Sequence, residues 1–180
     1  MAVITGDKFD NNLTGTAGDD TITGAGGRDT LTGGGGNDRI LGNSGDDILN
    51  GSDGNDVLKG ARGADTLSGG TGGDVLHGGE GADVLTGGAG ADVFLFKAGD
   101  LDGSADNIQD FANGVDEIDL GALGVTQVVA TNLTGVAGQL SLAVNPGIGL
   151  SILQFDADGD AAADLTLVVI GVVDPGDLIL

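Results

Sequence analysis

The sequence predicts an all-β protein: a β-solenoid of stacked coils over residues 1–95, then a β-rich cap over residues 96–180. Three observations carry this prediction. A nine-residue period runs without insertion through the first half of the chain, glycine reaches 38 of 180 residues, and all 28 acidic residues except Glu80 and Glu117 are aspartate. Collagen is excluded, because its glycine recurs every third residue among abundant proline and this chain has only Pro146 and Pro175.

The period starts at Gly6 and fills ten nonapeptides to Leu95. Glycine stands first in every one, and in nine of them glycine stands fourth and aspartate sixth. The eighth place is always large and apolar: Leu13, Ile22, Leu31, Ile40, Leu49, Leu58, Leu67, Leu76, Leu85 and Phe94. Three residues around that place form a minimal strand, whose middle side chain points to one face. One frame cannot bury a lone apolar residue, but stacked frames can. Glycines at fixed places allow positive backbone torsions and let carbonyls point at a common centre.

The aspartates occupy the turns. Calcium takes six to eight oxygens at about 2.3–2.6 Å and mixes carbonyls with carboxylates, so a glycine turn with one aspartate supplies about half a shell. Magnesium demands stricter octahedral geometry, and zinc lacks cysteine or clustered histidine here. The alternative is a metal-free solenoid with good turn residues, but a strict nine-residue period would then stack like charges with nothing to offset them.

The repeat resembles the RTX nonapeptide G-G-x-G-x-D-x-U-x, a known calcium-binding repeat. The resemblance implies a right-handed parallel β-roll with two nonapeptides per coil. It implies side-chain ligands at Asp20, Asp29, Asp38, Asp47, Asp56, Asp65, Asp74, Asp83 and Asp92, paired eighteen residues apart, Asp20 with Asp38 through Asp74 with Asp92. Carbonyls complete each shell, from Gly18, Gly27, Gly36, Gly45, Gly54, Gly63 and Gly72 at the fourth place and from Gly33, Gly42, Gly51, Gly60, Gly69, Gly78 and Gly87 at the first. Ten frames give five on each side and about four sites per side, so about eight Ca2+ ions, roughly +16 against a net charge of -22. In the first frame Phe9 replaces the glycine and Asn11 the aspartate, which reads as an end cap.

After Leu95 the period stops. The segment FLFKAGDLDGSADNIQDFANGVDEIDLGALG, residues 94–124, resembles the region following the repeats in serralysin-type proteases and related secreted RTX proteins, and QFDADGDAAADLTLVVIGV, residues 154–173, continues the likeness. This implies a cap packed on the last coil and export by a type I system reading an uncleaved carboxyl-terminal signal, with the tail Asp177-Leu178-Ile179-Leu180 either part of that signal or a packed final strand. The amino terminus shows neither a basic start nor an apolar run, which agrees with such a route. Leu150–Phe155 and Leu165–Ile170 read as an antiparallel hairpin. Its turn, with Asp156, Asp158, Asp160 and Asp164, is a cation loop or an exposed turn; Ala161 and Leu167 stand where an EF-hand has glycine and glutamate. Asp106, Asp110, Asp116 and Asp119 are calcium ligands or solvated edges.

Catalytic candidates are few. His77, the one histidine, occupies an outward ninth place and reads as solvated; no H-E-x-x-H occurs; Ser44 is one residue out of step for a nucleophile elbow. Strong acidity argues against nucleic acid, and no apolar run is long enough for membrane insertion. The expected protein is therefore extracellular and non-catalytic, folds on calcium, and is structural or attached to a cell-surface matrix with possible homo-assembly. The alternative is the carboxyl-terminal secretion and folding module of a larger type I-secreted enzyme such as a serralysin-type protease.

Overall fold

The computed structural model describes residues 1–125, 127–129, 137–145, 147 and 149–180. Eleven strands follow the repeat: β1 (Val3–Thr5), β2 (Asn12–Thr14), β3 (Thr21–Gly26), β4 (Thr30–Gly35), β5 (Arg39–Ser44), β6 (Ile48–Asp53), β7 (Val57–Arg62), β8 (Thr66–Thr71), β9 (Val75–Glu80), β10 (Val84–Ala89) and β11 (Val93–Leu95). Seven lie beyond it: β12 (Ala105–Ile108), β13 (Glu117–Asp119), β14 (Gln127–Val129), β15 (Gln139–Asn145), β16 (Leu150–Asp156), β17 (Leu165–Ile170) and β18 (Leu178–Ile179). Among the described residues the only helices are three single 3-10 turns, and none is long and apolar enough to cross a membrane.

Odd and even strands of the repeat separate into two sheets, parallel throughout the repeat, ordered β1-β3-β5-β7-β9-β11-β13-β18 and β14-β15-β16-β17-β12-β10-β8-β6-β4-β2. Partners stand eighteen residues apart, as Ile22 with Ile40 and Leu49 with Leu67, so two nonapeptides make one coil. Every eighth-place side chain from Ile22 to Phe94 is at most 1% exposed, and these side chains form one continuous core. Burying each leucine is worth about 1.5–3 kcal/mol, available only because a neighbouring coil covers it.

The strands are longer than the sequence reading predicts. From β3 to β10 each spans six residues rather than three, running from the seventh place through the next frame's third. After the eighth place the inward face returns two residues later, at the first-place glycine, which is buried as well. The second residue then takes a positive φ, even where it is Ala25, Asn43, Ser52 or Ala61. That twist lets the second and third places resume pairing, as Ala25 with Asn43 and Gly26 with Ser44.

Strand pairing runs across the end of the repeat without a break. β12 stacks on β10, β13 on β11, β17 on β12 and β18 on β13, all parallel. The predicted hairpin is present as β16 and β17, in antiparallel register from Leu150–Ile170 to Phe155–Leu165. Larger side chains close the core at this end, with Phe94, Phe96, Phe111 and Phe155 all buried and the Phe94 and Phe111 rings 6.2 Å apart. The tail packs as a strand: Leu178 is level with Ile118, and buried Asp177 accepts the Gly114 N–H at 3.0 Å. At the opposite end Ile4 and Leu13 are only partly buried, because no coil lies beyond β1 and β2.

Candidate metal centre

Each sixth-place aspartate follows the turn and precedes the strand, so its side chain enters the gap between successive coils. All nine, from Asp20 to Asp92, are at most 3% exposed. They form two columns. In each step Oδ1 of one aspartate accepts the backbone N–H of the aspartate one coil earlier: Asp38 from Asp20 at 2.7 Å, Asp47 from Asp29 at 2.7 Å, Asp83 from Asp65 at 2.8 Å, Asp92 from Asp74 at 2.8 Å.

The second oxygen has no such partner. Oδ2 of Asp29, Asp38, Asp47, Asp56, Asp65, Asp74, Asp83 and Asp92 is buried and accepts no hydrogen bond. A buried carboxylate oxygen left unpaired is expensive, since burial removes its water and returns nothing. These eight atoms are where an oxygen-seeking cation fits. The first-place glycines supply the rest of the cradle. A Cβ at Gly33 would overlap Asp38 Oδ2 and lie 2.6 Å from the Gly51 carbonyl oxygen; one at Gly51 would overlap Asp56 Oδ2 and lie 2.5 Å from the Gly69 carbonyl. The same hollow occurs at Gly24, facing Gly42, at Gly42, facing Gly60, and at Gly69, facing Gly87, while Gly60, Gly78 and Gly87 adjoin Asp65, Asp83 and Asp92.

First- and fourth-place glycines therefore serve different ends. The first-place residues have no positive φ; they are glycine because a side chain would occupy the hollow. The fourth-place glycines from Gly27 on do have positive φ, from Gly36 at +95° to Gly90 at +141°. Their carbonyls stack along the solenoid, those of Gly27, Gly36, Gly45, Gly54, Gly63 and Gly72 each meeting the fourth-place glycine one coil on, and Gly18 lies against Gly36.

Without a cation, burial pushes the carboxyls of Asp65 and Asp83 up to about 7 and that of Asp74 to about 6, and neighbouring carboxylates push the same way against the stabilising backbone N–H bond. Asp20 behaves oppositely. It accepts N–H bonds from Ala2 and from Thr16 at 2.6 Å and the Thr16 hydroxyl at 2.8 Å, and the Ala2 bond leads in holding it below the usual carboxylate range. Asn11, in the first frame, ends the other column with a neutral side chain: its backbone N–H donates to Asp29 Oδ1 and its side-chain oxygen accepts the Asp7 N–H.

A family model for the RTX calcium-binding nonapeptide repeat matches four times, at residues 5–40, 32–67, 41–76 and 68–100, together more than half of the chain. The chain belongs to the RTX calcium-binding repeat family. No curated protein matches it. Among solved structures it is similar to two R subunits of a mannuronan C5-epimerase from Azotobacter vinelandii. One is 24% identical with a TM-score of 0.48, covering 98% of this chain and 91% of that one; the other is 24% identical with a TM-score of 0.40, covering 97% and 80%. An extracellular lipase from Serratia marcescens is 16% identical with a TM-score of 0.43, covering 99% of this chain and 40% of the lipase.

Three features of this RTX chain depart from the sequence reading. His77 is not solvated: the 3-10 turn Ala98–Asp100 covers it, leaving 7% exposed, and its Nε2 lies 3.1 Å from both carboxylate oxygens of Asp100. Asp106 and Asp116 are not solvated edges but are 2% and 3% exposed. Fifth-place side chains form a second, outer ladder, Asp19 to the Asn37 N–H, Asn37 to Asn55 and Asn55 to Gly73, at 2.7–2.8 Å. The recurrence of Asp or Asn at the fifth place, as in Asp10, Asp19, Asn37, Asp46 and Asn55, is the signal that points to that ladder.

The hairpin turn is a different kind of cluster. Carboxylate oxygens of Asp156, Asp158 and Asp164 lie within 4.8 Å of one another, yet Asp156 accepts N–H bonds from Gly159 at 2.6 Å and Ala161 at 3.0 Å, and Asp164 accepts one from Ala157 at 2.7 Å. The turn satisfies its own carboxylates.

Proposed function

We propose that this RTX protein is a secreted, non-catalytic calcium-binding protein that folds on Ca2+ outside the cell, takes about eight ions in its roll, and serves as a structural or surface-associated element. The carrying observation is the double column of eight buried, unpartnered Oδ2 atoms. Where free calcium is scarce, self-repulsion at a net charge of -22 and the entropy of 38 glycines favour an open chain fit for export. Where calcium is plentiful, its binding free energy becomes folding free energy.

Two further observations support the reading. The sole histidine lies beneath the 3-10 turn Ala98–Asp100 with 7% of its surface exposed, so little of it is open to a substrate. β1 and β2 each pair on one side only, and exposed Val3 beside them offers an edge for assembly with a second copy. A calcium titration followed by circular dichroism and light scattering together tests this. Strand signal that appears with calcium supports ion-driven folding, and a parallel rise in mass supports assembly. Full strand signal in excess chelator at about pH 7.5, where the carboxylates are ionised in the open chain, overturns the reading.

A further inference from the structure

The carboxylate columns do not end where the repeat ends. Beyond it, Asp106 Oδ1 accepts the Asp83 N–H at 2.9 Å and Asp116 Oδ1 accepts the Asp92 N–H at 3.1 Å, the same bond that links every pair of coils within the repeat. The sequence separations are 23 and 24 residues instead of 18, so the nonapeptide frame does not reach them. Register does. Val84 is level with Asn107 and Leu85 with Ile108; Val93 is level with Glu117 and Phe94 with Ile118. Asp106-Asn107-Ile108 and Asp116-Glu117-Ile118 thus repeat the sixth, seventh and eighth places of a nonapeptide; the fourth-place glycine is kept as Gly114 ahead of Asp116 but is Ser104 ahead of Asp106, and both isoleucines are fully buried.

The hollows at Gly24, Gly33, Gly42, Gly51 and Gly69 open toward the following coil, because the carbonyl that joins Oδ2 there comes from the glycine one coil on, as Gly51 joins Asp38. An unpartnered Oδ2 therefore marks the lower half of a site whose upper half is the next coil. Asp83 and Asp92, each 1% exposed, carry such atoms, and the next coil for each belongs to the cap. Asp20 does not, since its Oδ2 accepts the Thr16 N–H and hydroxyl.

We propose that Asp106 and Asp116 are calcium ligands that complete the last site of each column with Asp83 and Asp92, so that calcium fastens the cap to the roll, while Asp20 and Asp38 share no ion. This rests on the calcium-binding reading above and shifts the set of sites one coil toward the carboxyl terminus. The column through Asp83 stops there, because the residue level with Asp106 in β17 is Leu167.

Asparagine separates the two roles of these side chains. D106N and D116N keep the oxygen that accepts the Asp83 or Asp92 N–H but lose the negative charge, so a purely structural role survives the change. Metal analysis of calcium-saturated, gel-filtered protein should find eight ions in the wild type, one per unpartnered Oδ2. It should find one fewer in D106N, one fewer in D116N, two fewer in the double variant and no loss in D20N. An undiminished count in the folded double variant, or a lost ion in D20N, overturns the proposal. Should the double variant fail to fold at any calcium concentration, the wild-type count decides alone: six ions, the number of such pairs inside the repeat, or seven, that number with Asp20–Asp38 added, overturns it and eight upholds it. A wild type that binds no calcium at all defeats the calcium-binding reading itself, a distinct result.

Discussion

Each interior aspartate divides its carboxylate between two tasks: Oδ1 accepts the N–H one coil back, and Oδ2 is left without a protein partner. Losing the side chain removes both. Asp65→Ala should raise the calcium concentration at the folding midpoint and, at calcium a hundred times the dissociation constant, cost about 2.7 kcal/mol for the lost site. Asp53 stands at an exposed third place, where its Oδ1 accepts only the Thr71 hydroxyl at 3.2 Å. Asp53→Ala should stay within about 0.5 kcal/mol. Calcium titrations of both variants by circular dichroism check this, and equal midpoints would contradict the assignment. The sixth-place aspartates were legible in the sequence from spacing alone. The division of labour between their oxygens was not, because it depends on a neighbour eighteen residues away.

At the scale of the strand, glycine separates into two kinds that one letter conceals. A first-place glycine keeps an ordinary extended backbone and leaves room for a carboxylate; a fourth-place glycine turns the chain through positive φ. Gly33→Ala should therefore destabilise the calcium-loaded roll by about 1–3 kcal/mol through overpacking, since its Cβ would displace Asp38 Oδ2. Gly99, with open space where a Cβ would go, supplies the control: Gly99→Ala should shift the melting temperature little. Thermal melts in saturating calcium check the pair, and equal shifts would show that the hollow is not occupied by the carboxylate. The second half of each six-residue strand escaped the periodic reading because it has no hydrophobic signature. It exists because backbone groups at the second and third places pair with the coil above, even where alanine or serine must adopt positive φ.

At the scale of the molecule, charge decides when the fold is stable. In the calcium-free protein Asp65, Asp83 and Asp106 are raised to about 7 and Asp74 to about 6, chiefly by burial and then by carboxylates stacked above and below. The folded state thus keeps protons that the unfolded chain releases near its ordinary value of 3.8. Stability from these groups is fully present below that value and is lost as pH rises through about 6 to 7. Calcium reverses the trend, since it binds the ionised form. Circular dichroism melts in chelator should give a more stable protein at about pH 4.5 than at about pH 7.5, and calcium should abolish or invert the difference. A calcium-free protein that is more stable at the higher pH would contradict it.

The repeat by itself determined the solenoid, its core and the aspartate columns, because a strict period of nine leaves one way to bury one apolar residue per frame. Tertiary structure alone decided which oxygens remain unpaired, that His77 lies beneath Asp100, and that Asp106 and Asp116 continue the columns. Those facts depend on vertical stacking between coils. Once the period breaks, sequence distance no longer reports that stacking and only the register of paired strands does.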